Sequence, residues 1–153
     1  MMKYDIPMPP SINHYYFTAK IRNRLVRIVG KAGKEFHATV KAKYGADKPL
    51  FIKEEVLLFI TIHNKANKPP KPTKNNPNPI AEPTKARKDI DNILKPTLDS
   101  LIGIAYTDDK QVSTLIVKTG ADTEIPYLSI SVYEDNTEIH KLHSTLYFEE
   151  ECL

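Results

Sequence analysis

Charged side chains in two stretches of the sequence have the types and spacing that metal-assisted hydrolysis requires. The first stretch holds Asp89, Asp91 and Lys95, and the second holds the pair Asp108-Asp109. In an extended segment residues i and i+2 point the same way, so the carboxylates of Asp89 and Asp91 would leave the backbone together. Lys95 follows Asp91 at a spacing of i, i+4, which sets its ammonium beside Asp91 if a helix begins there.

Carboxylates from both stretches would meet if a short turn brought Asp108-Asp109 back to the start of that helix. Three converging carboxylates repel each other unless a cation joins them, and hard oxygen ligands select Mg²⁺ or Mn²⁺. Such an ion, alone or as one of a pair, can supply hydroxide from bound water and neutralise charge on a scissile phosphate. Lys95 would then contact that phosphate or orient the attacking water. Such an arrangement would suit phosphodiester hydrolysis.

The same residues have simpler interpretations. Asp91 could be the N-cap of a helix and Asp89 the residue that leads into it. Asp108-Asp109 could be only a turn before a strand, and Lys95 could belong to a weak surface ion pair. The chain would then be a structural protein, and neutralising its aspartates would leave its activity unchanged.

The elements that must position these residues form one α/β domain, over residues 1–136, with a mixed β-sheet and two principal helices. Apolar patterning predicts helices at Lys31–Tyr44 and Asp91–Ile102 and strands at Lys3–Pro7, Glu54–His63, Gln111–Lys118 and Tyr127–Val132. Glu54–His63 carries apolar residues on both faces, which indicates a central strand. Pro96 should kink the second helix or confine regular geometry to the part that follows it, and Gly103 should end it.

Three further expectations concern the surroundings of the two stretches. Phe36, Val40 and Tyr44, at i, i+4 and i+8, should turn one face of the first helix towards the core. Asn13–Ile28 should be an irregular hairpin or a loop, whose register the sequence does not fix. Asp99 is expected to be exposed or to bond to nearby backbone.

Basic residues cluster in two blocks, as they would in a protein with one face turned to a polyanion. Residues 19–45 contain eight Lys or Arg against Glu35 alone, and residues 65–88 contain seven against Glu82 alone. From Glu134 onward there are six acidic residues and only Lys141 is basic. This distribution suits nucleic-acid binding, although ordinary solvated surface explains it equally well.

The composition is typical of a globular protein that stays out of membranes. The longest apolar run, Val56–Ile60, is too short to span a bilayer, and no secretory signal is expected after Met1. Cys152 is the single cysteine and cannot form an internal disulfide, so a reducing cytoplasm is the expected location. Residues 65–87 hold six of the twelve prolines and should be an exposed, partly extended loop, and residues 137–153 an acidic tail.

The run RKDIDNILKPTLDSLIGIAYTDDKQV resembles the signature of the RusA family of Holliday-junction resolvases. That signature has an Asp-x-Asp-Asn start, a lysine four residues after the second aspartate and a downstream Asp-Asp-x-Gln-Val. The opening IPMPPSINHYY is similar to the family's first strand and its Pro-Pro-Ser-x-Asn continuation. The resemblance covers most of residues 3–132. The loop before Asp89 is longer and more proline-rich than in the best-known members.

This resemblance implies an α/β fold, a homodimer, and Mg²⁺- or Mn²⁺-dependent cutting of four-way DNA junctions in recombination and repair. The family's three catalytic, metal-binding aspartates fall on Asp89, Asp91 and Asp109, and its essential lysine falls on Lys95. Asp108 becomes a candidate for a further metal contact.

Candidate DNA contacts are basic residues of the two blocks and two tyrosines that could stack on exposed bases. They are Arg22, Arg24, Arg27, Lys85, Arg87, Lys88, Tyr15 and Tyr16. For the two tyrosines, a loop packed against the core is the other interpretation.

Two other functions remain open on these residues. A nuclease of DNA flaps or replication forks would use the same carboxylates with little preference for four-way junctions. A DNA-binding module would protect or remodel branched DNA without cutting it, and would need no divalent metal.

Overall fold

Helices and strands follow one another along the residues that the computed structural model describes, which are 1–45, 47–68, 71–80 and 89–136. In chain order they are β1 (Met2–Pro7), α1 (Ile12–Tyr15), β2 (Tyr16–Ile21), β3 (Arg24–Val29), α2 (Lys31–Tyr44), β4 (Val56–His63), α3 (Ile90–Leu101), β5 (Val112–Thr119) and β6 (Tyr127–Glu134). A 3₁₀ helix, Asp109–Gln111, leads into β5. The prediction of a mixed sheet with two principal helices, α2 and α3, is confirmed.

A mixed sheet of four strands, in the order β1-β6-β4-β5, forms the centre of the fold. The apolar strand β4 pairs in parallel with β5 and antiparallel with β6, so it is central as predicted. Leu57 and Leu58 point to opposite faces of β4, and both are fully buried. Val112 is paired with Val56, so the residues just before β5 lie at the end of the sheet where the strands β4 and β5 begin.

The two long helices bury apolar faces against this sheet. Phe36 and Val40 of α2 form one core cluster with Ile93 of α3 and Leu58 of β4, and Tyr44 packs against it. The predicted i, i+4, i+8 face of the first helix is therefore confirmed. In the sequence, α3 lies between the parallel strands β4 and β5. It therefore belongs to the connection that brings the chain back along the sheet from the end of β4 to the start of β5.

Pro96 lies inside α3, which is helical on both sides of it. Of the two alternatives predicted for Pro96, confinement of regular geometry to the part after it is therefore wrong, and a kink stays a prediction. Proline has no N–H to donate to the carbonyl four residues earlier, but its ring is buried and packing holds the helix together around it. The helix ends as predicted, because Ile102 is the C-cap and Gly103 follows with a φ of +78°.

The segment expected to be an irregular hairpin or a loop is one turn of helix followed by a regular hairpin. β2 and β3 pair antiparallel from Tyr16 with Val29 to Ile21 with Arg24. The two-residue turn, Arg22 and Asn23, has φ values of 47° and 62°, and a turn of that kind matches the twist of the strands that it joins. The sequence pattern does not reveal this register because the turn has no glycine.

The basic, proline-rich loop is exposed over nearly all of residues 71–80. Three of the basic residues singled out in the sequence, Lys85, Arg87 and Lys88, lie outside the described residues, as does the acidic tail 137–153. In the described part of the chain no helix has both the length and the apolar character needed to cross a membrane.

Candidate active site

Lys95 is the charged centre of the site, near the middle of α3. Its Nζ lies 2.7 Å from Oδ1 of Asp99 and 2.7 Å from Oδ2 of Asp109. Hydrogen bonds to Asp109 and then to Asp99 hold the pKa of Lys95 above its ordinary value, so the ammonium stays charged at neutral pH. The lysine side chain is 46% exposed, which leaves it open to a ligand from solvent.

Asp109 begins the 3₁₀ helix, and its neighbour Asp108 caps that helix. The Oδ1 atom of Asp108 accepts a hydrogen bond from the backbone N–H of Lys110 at 3.0 Å, and Oε1 of Gln111 accepts from the N–H of Asp108 at 3.0 Å. This capping box uses the carboxylate of Asp108 within the turn, whereas that of Asp109 faces Lys95. The hydrogen bond from Lys95 holds the pKa of Asp109 below its usual value, so this carboxylate stays ionised.

Asp89 and Asp91 lie exposed at the N-terminal end of α3. The helix begins at Ile90, so Asp89 is the N-cap residue. The simpler interpretation, which placed Asp91 at the N-cap, is therefore wrong. Asp89 makes no side-chain capping bond, and its Oδ2 accepts instead from Nδ2 of Asn92 at 3.2 Å. Asp91 stands in the first turn of the helix, where the positive end of the helix dipole favours a negative charge.

Asp91, Lys95 and Asp99 lie on one face of α3, because they are spaced at i, i+4 and i+8. Side chains four residues apart on a helix are neighbours, with Cβ atoms about 5–6 Å apart. The expected pairing of Lys95 with Asp91 is nevertheless not formed in the described structure, since the ammonium reaches Asp99 and Asp109 instead. Asp91 therefore shares a face of α3 with Lys95, and Asp109 contacts that lysine.

The carboxylates are not gathered into a ready three-ligand cluster. Among the described residues, no three side chains of His, Cys, Asp or Glu converge closely enough to hold a metal ion. The ammonium of Lys95 pairs with Asp109 and balances its charge. The donor chemistry fits a hard divalent cation, because Asp89, Asp91 and Asp109 offer only carboxylate oxygens and are at least partly exposed.

Asp99 belongs to a network that sequence reasoning missed. Its Oδ2 accepts hydrogen bonds from the hydroxyls of Tyr15 at 3.2 Å and Tyr16 at 2.9 Å. Its side chain is only 15% exposed and bonds to distant side chains, so the expectation that Asp99 is exposed or bonds to nearby backbone is wrong. The one signal in the sequence was that Lys95 has an aspartate four residues away on each side, and spacing alone does not say which of them it contacts.

Tyr15 and Tyr16 differ in how far they can reach DNA. Tyr15 is fully buried, so its ring has no free face for a base, and the alternative of packing against the core describes it. Tyr16 is partly buried, with its ring 5.2 Å from the guanidinium carbon of Arg27. Arg27 of the exposed hairpin therefore lies next to the network that holds Lys95. Arg22 and Arg24 are exposed further along the same hairpin, near its turn.

A comparison with protein families matches residues 7–136 to the family described as Endodeoxyribonuclease RusA. A search of curated proteins found no match. The matched range runs from the last residue of β1 to just beyond β6, and it contains every residue of the candidate site. The chain belongs to the RusA family of endodeoxyribonucleases.

Proposed function

We propose that this endodeoxyribonuclease resolves four-way DNA junctions by divalent-metal-dependent hydrolysis of phosphodiester bonds. The observation that supports this most strongly is the 2.7 Å contact between the ammonium of Lys95 and the carboxylate of Asp109. That contact lies on a surface that also exposes Asp91 one helical turn away. Carboxylates beside a charged, accessible lysine are what a metal-assisted attack on a phosphate needs.

In this proposal Asp89, Asp91 and Asp109 hold Mg²⁺, with Mn²⁺ as a substitute. When bound, the ion lowers the pKa of a water molecule and neutralises charge on the phosphate. The protein's own contribution is to keep Asp109 ionised and Lys95 protonated. The lowered pKa of Asp109 and the raised pKa of Lys95 both favour these charged forms. Lys95, being partly exposed, attracts the phosphate anion or orients the attacking water.

We further propose that the chain acts as a homodimer on branched DNA. A four-way junction is resolved by matched nicks in two opposed strands, and a two-fold dimer with one active site in each subunit suits that symmetry. The same site on a monomer would fit a flap or fork nuclease, whose substrate has no such symmetry.

Cleavage of labelled DNA tests this function directly. The full-length protein should nick a four-way junction symmetrically in Mg²⁺ or Mn²⁺, give no product in EDTA, and leave a linear duplex of the same sequence uncut. Equal cutting of a flap and a junction would favour the flap or fork nuclease. Tight junction binding with no product in either metal would leave only the DNA-binding module.

The arginines of the β2–β3 hairpin are expected to contact DNA phosphates. Exchanging Arg22, Arg24 and Arg27 together for alanine should weaken junction binding. Each lost phosphate contact should make the slope of log K against log salt shallower by about 0.9. Fluorescence anisotropy at several salt concentrations measures both quantities.

A matched variant exchanges three exposed lysines of α2, Lys31, Lys34 and Lys41, for alanine and has the same change in net charge. If the hairpin is the contact, this variant should keep most of the affinity and the original slope. Equal effects of the two variants would mean that total charge, not the hairpin, sets the affinity.

A further inference from the structure

We propose that Asp99 is a positioning residue, which holds the ammonium of Lys95 in place for catalysis and leaves Asp109 available to a metal ion. This inference rests on the proposed nuclease function. It concerns a carboxylate that lies outside the three aspartates assigned to the metal.

The contacts of Lys95 divide its three N–H donors between two carboxylates and solvent. One donor goes to Oδ1 of Asp99 and one to Oδ2 of Asp109, each at 2.7 Å. An ammonium has three such donors, so the third can meet a phosphate oxygen or a water molecule. With two of its directions fixed, the lysine presents the third in one orientation.

Asp99 is itself held more firmly than Asp109. Its side chain is 15% exposed, against 29% for Asp109. Its two carboxylate oxygens have separate tasks, because Oδ2 accepts from the hydroxyls of Tyr15 and Tyr16 and Oδ1 faces Lys95. Charge-assisted hydrogen bonds of this kind are roughly twice as strong as those between neutral groups.

The tyrosine that supports Asp99 is in turn fixed by α2. The ring of Tyr15 packs so closely on that helix that a Cβ on Gly33 would stand 2.9 Å from the ring atom Cδ2. Its hydroxyl also lies within hydrogen-bonding distance of Nε2 of His37. A hydroxyl has one proton, so if that proton goes to Asp99, His37 donates from Nε2 as its N–H tautomer. The anchor of Lys95 is therefore built from α1, α2 and α3 together.

The anchor matters because Asp109 both pairs with Lys95 and, in the proposed function, binds the metal ion. A carboxylate that binds a divalent cation has less negative charge to offer an ammonium, so Asp109 alone would release Lys95 when metal arrives. Asp99 keeps the lysine in place through that exchange. Without Asp99, Lys95 would pair with Asp109 alone and compete more strongly with the metal for it.

The first test is the exchange Asp99→Asn in the full-length protein. The rate of junction cleavage at saturating DNA and Mg²⁺ should fall roughly 10- to 100-fold, the usual loss for a residue that orients a catalytic group. The Kd for the junction should stay within about twofold, since Asp99 itself meets no DNA in this proposal. Tyr16→Phe, which removes one of the hydroxyls on Asp99, should cause a smaller loss of the same kind.

Control variants remove comparable interactions elsewhere. Glu35→Gln breaks the exposed i, i+4 pair with Lys31 on α2, and Tyr44→Phe removes a hydroxyl that bonds to the backbone of Asp5. Both should cut at the original rate. Thermal unfolding of every variant shows whether a lost rate reflects a lost fold.

A double-mutant cycle separates positioning from structure. If Asp99 acts through Lys95, adding Asp99→Asn to Lys95→Ala should slow cleavage no further than Lys95→Ala alone. Independent losses that multiply would overturn the proposal.

A metal-free measurement completes the test without relying on activity. In ¹⁵N NMR spectra, the ammonium signal of Lys95 should stay sharp in Asp109→Asn but broaden, through faster exchange with water, in Asp99→Asn. The opposite order would make Asp109 the anchor and refute the proposal. If the original protein cuts no DNA but its ammonium signal behaves as expected, the nuclease function fails while the anchoring of Lys95 stands.

Discussion

Asp91→Asn is expected to abolish junction cleavage in Mg²⁺ while leaving junction binding nearly unchanged. The substitution keeps the shape of the side chain and removes one carboxylate from the proposed metal site. Losing several kcal/mol of transition-state stabilisation lowers the rate by about 10³-fold or more. Asp91 is exposed and makes no ion pair in the described structure, so little of this loss should come from unfolding.

Two measurements distinguish this mechanism from a structural role for Asp91. Isothermal titration should show weaker Mn²⁺ binding to Asp91→Asn. Thermal unfolding should show that the free energy of unfolding falls by only about 0.3–1 kcal/mol, because a charge at the helix N-terminus is lost. Asp5→Asn is a suitable control, because Asp5 is an exposed aspartate on β1, at the opposite edge of the sheet from β5. Normal nicking by Asp91→Asn in Mg²⁺ would remove Asp91 from the mechanism.

The main elements could be predicted because their patterns depend on local sequence. β4 is apolar on both faces and could only be a central strand, and the i, i+4, i+8 spacing of Phe36, Val40 and Tyr44 leaves one face for α2 to bury. The order of the strands could not be predicted in the same way. That β6 lies between β1 and β4 is decided by pairing between distant segments, which alternation within a strand does not encode.

The candidate site depends on local sequence in the same way. Asp89, Asp91 and Lys95 stand out because they are close in sequence. The resemblance to the RusA signature selects Asp109 over Asp108, and the structure adds that the carboxylate of Asp108 is used in a capping box. Asp99 was missed because its partners, Tyr15 and Tyr16, come from a segment more than eighty residues away. A carboxylate at i+4 from a lysine becomes a partly buried anchor only when the tertiary fold brings hydroxyls to it.

Lys95, which lies between Asp99 and Asp109, is expected to affect metal binding and catalysis in opposite directions. Lys95 pairs with Asp109 and balances its charge. Any ion that binds Asp109 must compete with that ammonium. The lysine is therefore expected to weaken metal binding and to increase the rate of cutting.

Lys95→Ala should accordingly slow cleavage by about 10²- to 10³-fold, the effect of removing one oriented charge from a phosphate transition state. Its Kd for the junction should rise less than about tenfold, since one phosphate contact among many is lost. Mn²⁺ should bind the variant more tightly, because the competing ammonium is gone and Asp109 is free. Lys31→Ala, which removes another lysine of an i, i+4 pair, controls for net charge. Equal losses of rate and affinity would make Lys95 a phosphate anchor, and weaker Mn²⁺ binding would mean that the ammonium and the metal do not share Asp109.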